Sequence, residues 1–222
     1  MKDQYLQIVR RHPYLGLELD DKLTWKHHIH NIKVKANRTL NFLHRNMQHS
    51  PQQIKEKLYH TLVKPILEYC SPIWDPHTHK HIKLLEQIQH KAARFVTNTP
   101  YNRERREDQK SGTTLTNKLN WPPLLQRRKL QRLTLLYKIH HGQIAIPKEY
   151  LPPTAENRTR HSHNKKYQIP YSNIDTHKYS SITRSIPEWN KLPQYVVDLN
   201  STEDFKTAVE AIISTQSSKT NS

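Results

Sequence analysis

Apolar residues spaced by three and four positions on successive basic segments limit what this chain can fold into. Ile29, Ile32, Ala36, Leu40, Leu43 and Met47 make one stripe between about Trp25 and Met47, with His27, Lys35, Arg38 and Arg45 on the opposite side. That period belongs to an amphipathic helix with one face on a core and the other in water. Ser50-Pro51-Gln52-Gln53 reads as the next helix start, with Ser50 as cap, Pro51 at the first helical position and Gln53 completing a capping box. Ile54, Leu58, Leu62 and Ile66 form its expected inner row, and Pro65 is expected to kink it. A third helix is expected from about His79 to Val96, with Ile82, Leu85, Ile88, Ala92 and Val96 inside. Lys83, Gln87, His90 and Arg94 form its outer row.

Ahead of these helices, residues 5–20 carry short β-prone runs around Pro13 and Gly16, which read as a hairpin. Two strands alone are marginal in water, so this piece looks cut from a larger sheet. Beyond the helices, 98–112 reads as a linker and 113–142 as a helical extension. Its main helix, Leu124 to His141, has leucines around much of its circumference and one expected exposed sector: Arg127, Gln131, Thr134 and Lys138. Gly142 stops it. Residues 143–180, broken by Pro147, Pro152, Pro153 and Pro170, read as a basic irregular arm carrying Arg158, Arg160, Lys165 and Lys166 with neighbouring histidines. A C-terminal helical segment (181–214, capped by Ser201) and a disordered tail (215–222) complete the expectation. The expected fold is mainly α: a three-helix bundle after a short N-terminal β-hairpin, then a further helical and irregular C-terminal region.

Charge then narrows function. Lys and Arg number 36 against 19 Asp and Glu, a formal net charge of +17. A field of that size attracts polyanions, nucleic acid first. Cationic rows on consecutive helices point to contact with a phosphate backbone, and no base-reading motif stands out. The expected contact residues are Lys35, Arg38, Arg45, Lys83, Gln87, Arg94, Arg127, Lys138, Arg158, Arg160, Lys165 and Lys166. The partner expected is RNA, DNA or an RNA–DNA duplex. There is no apolar run long enough to span a bilayer and no signal peptide, so the chain reads as intracellular, nuclear or cytoplasmic. On that reading the Asn-x-Thr triplets at Asn37, Asn157 and Asn200 are chance matches.

Several chemistries find little support. Cys70 is the only cysteine, which excludes an internal disulfide and any Cys-rich zinc finger. With three glycines in all, the chain has no phosphate-cradling Gly-rich motif. Asp20-Asp21 looks like a metal-binding pair, but no third carboxylate from a separate strand accompanies it, and it reads as a turn and helix start. His77-x-His79-x-His81 and His161-x-His163 read as solvated or RNA-contacting rather than metal-ligating, because alternate residues on a helix point in different directions. Catalytic residues, cofactor and metal are therefore not expected.

The order of motifs resembles the C-terminal part of reverse transcriptases from non-LTR (LINE-like, jockey-type) retrotransposons. YLGLELDDKLTWKHHI (Tyr14 to Ile29) is similar to the segment just after the polymerase active site. KANRTLNFLHR, LYHTLVKPILEYCSPIWDP, LEQIQHKAARFV, LNWPPLLQRRKLQRLTLLYKI and IPEWNKLP follow in the family's order. The resemblance covers about Tyr14 to Val209. It implies that 1–24 is the residual palm with its primer-grip strands and 25–97 the thumb, which holds a template–primer duplex through its backbone. The family's aromatic-Ala-Asp-Asp motif lies upstream of the YLG strand and is absent here, and Asp20-Asp21 does not match its position. The resemblance thus implies no polymerase activity alone, with the palm of a reverse transcriptase as a further partner. A different reading is a host-adopted protein-interaction module that offers Trp74, Trp121 and Trp189 as contact surfaces.

Overall fold

A computed structural model describes residues 9–100, 108–155 and 163–220, without the side chains of 108–111, 148 and 217–220. In chain order the elements are β1 (Arg11–Tyr14), β2 (Leu17–Asp20), α1 (Lys26–Asn46), α2 (Gln52–Leu58), α3 (Lys64–Glu68), α4 (Ser71–Trp74) and α5 (His79–Thr97). Then come α6 (Asp108–Lys118), α7 (Leu124–His140), α8 (Asp175–Lys178), α9 (Ser181–Trp189), α10 (Gln194–Val197) and α11 (Thr202–Thr220). The chain is mainly helical after a short N-terminal hairpin, as its periodicity dictates. It divides into two compact units: Met1–Cys70 with Thr78–Leu115, and Ser71–His77 with Thr116–Ser222.

The first unit is the hairpin and a bundle of α1, α2–α3 and α5. Ile29, Ile32, Ala36, Leu40 and Leu43 of α1 are buried, as are Leu85, Ile88, Ala92 and Val96 of α5, whereas Ile82 is only half-buried. The middle helix departs from expectation. Lys55, Tyr59, Val63 and Leu67 are fully buried, while Ile54 and Leu62 are exposed. The sequence offers two adjacent rows of four-residue period, and the cation at position 55 disguises the one that is used. Four residues overshoot a helical turn by roughly 40°, so such a row drifts around the cylinder. A wide π-turn at Tyr59–Val63, in which Lys64 N–H reaches the Tyr59 carbonyl, offsets that drift. It also sits next to Pro65, whose missing N–H and bulky ring disfavour an ordinary turn there. The capping box does not form. Pro51 is the residue flanking α2, and the Ser50 hydroxyl lies 3.6 Å from Met47 Sδ.

The hairpin pairs Arg11 with Asp20 through Tyr14 with Leu17 across a two-residue turn. Leu15 and Gly16 have φ of 47° and 80°, the two positive values a tight right-twisted hairpin turn demands. With a two-residue turn, the backbone N–H of position 13 faces away from β2, and Pro13 has none. On the other edge, the outward N–H of Glu18 donates to His28 Nδ1 over 3.3 Å. One edge thus lacks a donor at Pro13, and on the other a helix side chain takes the Glu18 donor, which disfavours strand addition.

The second unit is built around α7, which packs against α4, α9 and α11. Leu133, Leu136 and Tyr137 meet Ile186, Trp189, Val196, Val197, Phe205 and Val209 in one apolar cluster. Ser201 caps α11 as expected, its Oγ accepting from Asp204 N–H over 3.4 Å. That helix runs on to Thr220, into the expected disordered tail, and α6 begins at Asp108, inside the expected linker. The arm is also less irregular than expected. Thr154 and Tyr167 form an antiparallel bridge, and Ala155 N–H donates to the Lys166 carbonyl over 2.9 Å.

Candidate nucleic-acid interface

In the first unit, α1 runs for 21 residues without an acidic side chain. Lys35, Arg38 and Arg45 are exposed along it and form no salt bridge among the described residues. They make a cationic ridge, with the exposed Phe42 between Arg38 and Arg45. On α5, Lys83 and Gln87 are exposed and Arg94 is half-buried. Gln87, His90 and Arg94 line a groove with α1 residues Asn41 and His44, whereas Lys83 is not among its lining residues. The expected α5 row is therefore split. His90 is covered by Gly112 of α6, where an added Cβ would lie 2.7 Å from the imidazole ring, so only glycine fits that approach. Burial, helped by the Arg94 charge, lowers the His90 pKa and favours the neutral ring.

Asp20 acts as a turn residue. Its Oδ1 accepts from the N–H groups of Lys22 and Thr24, each over 3.0 Å, and its Oδ2 accepts from the Thr24 hydroxyl over 2.7 Å. Partial burial opposes ionisation, but these hydrogen bonds outweigh it and lower the pKa. Among the described residues, no group of three or more His, Cys, Asp or Glu is placed to hold a metal ion.

In the second unit, the expected exposed sector of α7 is mostly covered. Thr134 is buried, and Arg127, Gln131 and Lys138 are half-buried, with Gln131 hydrogen-bonded to Ser71. Lys165 is engaged inside the chain, 2.9 Å from Asp198 and 3.2 Å from the Val197 carbonyl, and Lys166 is half-buried. His163 is not solvated either. It is buried, with Nε2 donating to the Trp189 carbonyl over 3.0 Å and Nδ1 accepting from Lys165 N–H over 3.2 Å. Arg158, Arg160 and His161 lie outside the described residues. Trp74, Trp121 and Trp189 are buried rather than offered to a partner.

Sequence reasoning missed the charged centre of this unit. Asp75 accepts from Arg128 over 2.7 Å and Arg132 over 2.9 Å, and it lies 3.2 Å from Arg184. Arg132 also pairs with Glu188 over 3.0 Å. Arg128 and Arg132 stand four apart on the most leucine-rich helix. Two arginines of that spacing on a helix packed on several sides were the available signal.

Among the described residues, no helix is long and apolar enough to cross a membrane. Comparison with known proteins found no matching family model, no matching curated protein and no matching solved structure.

Proposed function

We propose that this chain is a nucleic-acid-binding module that grips a duplex through its phosphate backbone. On the motif order it is the thumb and C-terminal part of a LINE-like reverse transcriptase, without polymerase activity of its own. The observation that carries this reading is α1: a 21-residue helix with no acidic residue, whose exposed Lys35, Arg38 and Arg45 are left unpaired by the described residues. Such a ridge is costly in self-repulsion and gains from an adjacent polyanion. No base-reading motif stands out in the sequence, which fits backbone-directed binding of an A-form-like hybrid. The palm of a reverse transcriptase is the further partner, and the exposed Tyr14 and Leu15 at the hairpin tip are apolar surface for it.

The test is a salt titration of RNA–DNA duplex binding by the whole chain. Affinity should fall roughly 40-fold between about 50 and 200 mM salt if the three ridge cations each neutralise one phosphate. Salt-independent binding overturns the reading. A second reading, a protein-interaction module, is favoured by one feature of the second unit. Tyr150, Ile169 and Tyr171 are all exposed around a groove of about 830 Å³. If the chain binds no duplex even at low salt, that reading takes precedence.

A further inference from the structure

A groove of about 1040 Å³ opens in the first unit between the C-terminal half of α1 and α5. That is at the upper end of the ~300–1,000 Å³ range of small-molecule sites. Leu40, Phe95 and Pro100 give it an apolar floor, and His44 stands at its edge with its ring 6.0 Å from that of Phe95, tilted by 43°. None of the described lining residues is acidic.

One further group sets its chemistry. Lys55 is fully buried behind Phe95 and Asn98, both of which line the groove. Its ammonium donates to the Asn98 side-chain oxygen and lies 5.3 Å from the centre of the Phe95 ring. Neither partner is negative, and no carboxylate pairs with Lys55 among the described residues. An ammonium taken out of water without a counter-ion is costly to the fold. The positive potential it leaves is directed at the groove end formed by Phe95 and Asn98. A concave site with an aromatic floor, a second flat ring beside it and an uncompensated cation behind it suits a planar group bearing a phosphate. A duplex is convex and keeps its bases stacked inside, whereas a single strand can turn a base into such a groove.

We infer that this groove takes a nucleotide of a single-stranded nucleic acid, with its base against the exposed His44 ring over the apolar floor and its phosphate toward the Lys55–Asn98 end. The inference rests on the nucleic-acid-binding reading above and assigns a second mode to it, distinct from the duplex ridge.

The experiment measures fluorescence anisotropy of the whole chain with a labelled single-stranded RNA of about ten nucleotides, a DNA of equal length and an RNA–DNA duplex. His44→Ala removes an exposed ring and should leave the fold intact. Single-strand affinity should fall roughly tenfold, the size of one lost base stack, with duplex affinity unchanged. Lys55→Met keeps the stem and removes the charge. It should weaken single-strand binding several-fold, through loss of the positive potential behind the groove, while a thermal melt confirms folding. The inference is overturned if both variants leave single-strand binding untouched, if duplex affinity falls in parallel, or if the wild-type chain binds duplex but no single strand. If it binds neither, the nucleic-acid reading itself fails.

Discussion

Arg128 Nε donates to Asp75 Oδ1 over 2.7 Å, with both side chains almost wholly buried. Among the described residues, Asp75 meets three guanidinium groups, and both terminal nitrogens of Arg128 are buried without a hydrogen-bond partner. The carboxylate is thus the main compensation for a cation-rich centre. Removing one member of a buried ionic group leaves the others uncompensated, at about 3–5 kcal/mol. Asp75→Asn should therefore lower the stability of the second unit by that amount in chemical denaturation. A loss of a few tenths of a kcal/mol would show that water or rearrangement screens the arginines.

Acid should weaken the same unit. His140 Nδ1 lies 2.7 Å from the Tyr167 hydroxyl. Burial, then the nearby His141, Lys165 and His163, hold its pKa down to about 4. Burial also lowers His163, with the Trp189 carbonyl opposing. An unfolded histidine titrates near 6.5. The folded state thus favours the neutral ring, and the stability this confers is complete above about pH 6.5 and drains as pH falls toward 4. The melting temperature should drop between about pH 7 and pH 5, and the drop should be smaller in His140→Gln. Equal drops would remove His140 as the cause.

The hairpin turn stores strain that a substitution can release. Leu15 holds φ of 47°, a left-handed conformation that side chains with a Cβ resist, while its carbonyl accepts from the Tyr69 hydroxyl over 3.0 Å. Leu15→Asn keeps that backbone bond and suits the turn, so it should stabilise the first unit by roughly 1 kcal/mol. A thermal melt of the variant checks this, and a lower midpoint would mean that the leucine side chain contributes packing of its own.

The pattern of what was legible in sequence follows from the physics. The rows in α1 and α5 were readable because each has a single apolar stripe with polar residues opposite. The middle helix was not, because Ile54, Leu58, Leu62 and Ile66 are as apolar as Tyr59, Val63 and Leu67, and a lysine heads the row that is buried. The α1 ridge was legible because solvated charge follows local periodicity. Lys165, Arg128 and Arg132 were not, since their partners Asp198 and Asp75 are 33 and more than 50 positions away, and sequence spacing carries no information about such pairs. The α1–α5 groove was only half legible. Gln87, His90 and Arg94 stood out as a row, but the α1 residues facing them and Lys55 behind them come from chain folding alone.

The sharpest separation of binding from structure contrasts two sets of cations. Lys35, Arg38 and Arg45 are exposed and unpaired among the described residues, so Lys35→Glu, Arg38→Glu and Arg45→Glu together should leave the melting temperature nearly unchanged. Each phosphate contact adds about 0.9 to the salt slope of duplex binding, so the triple variant should reduce that slope by about 2–3. Lys165→Glu should do the reverse. It turns the 2.9 Å contact with Asp198 into a repulsion and removes the hydrogen bond to the Val197 carbonyl, so it should lower the melting temperature. Duplex affinity should scarcely change. If Lys165→Glu weakens binding as much as the triple variant does, the interface lies on the second unit and not on the α1 ridge.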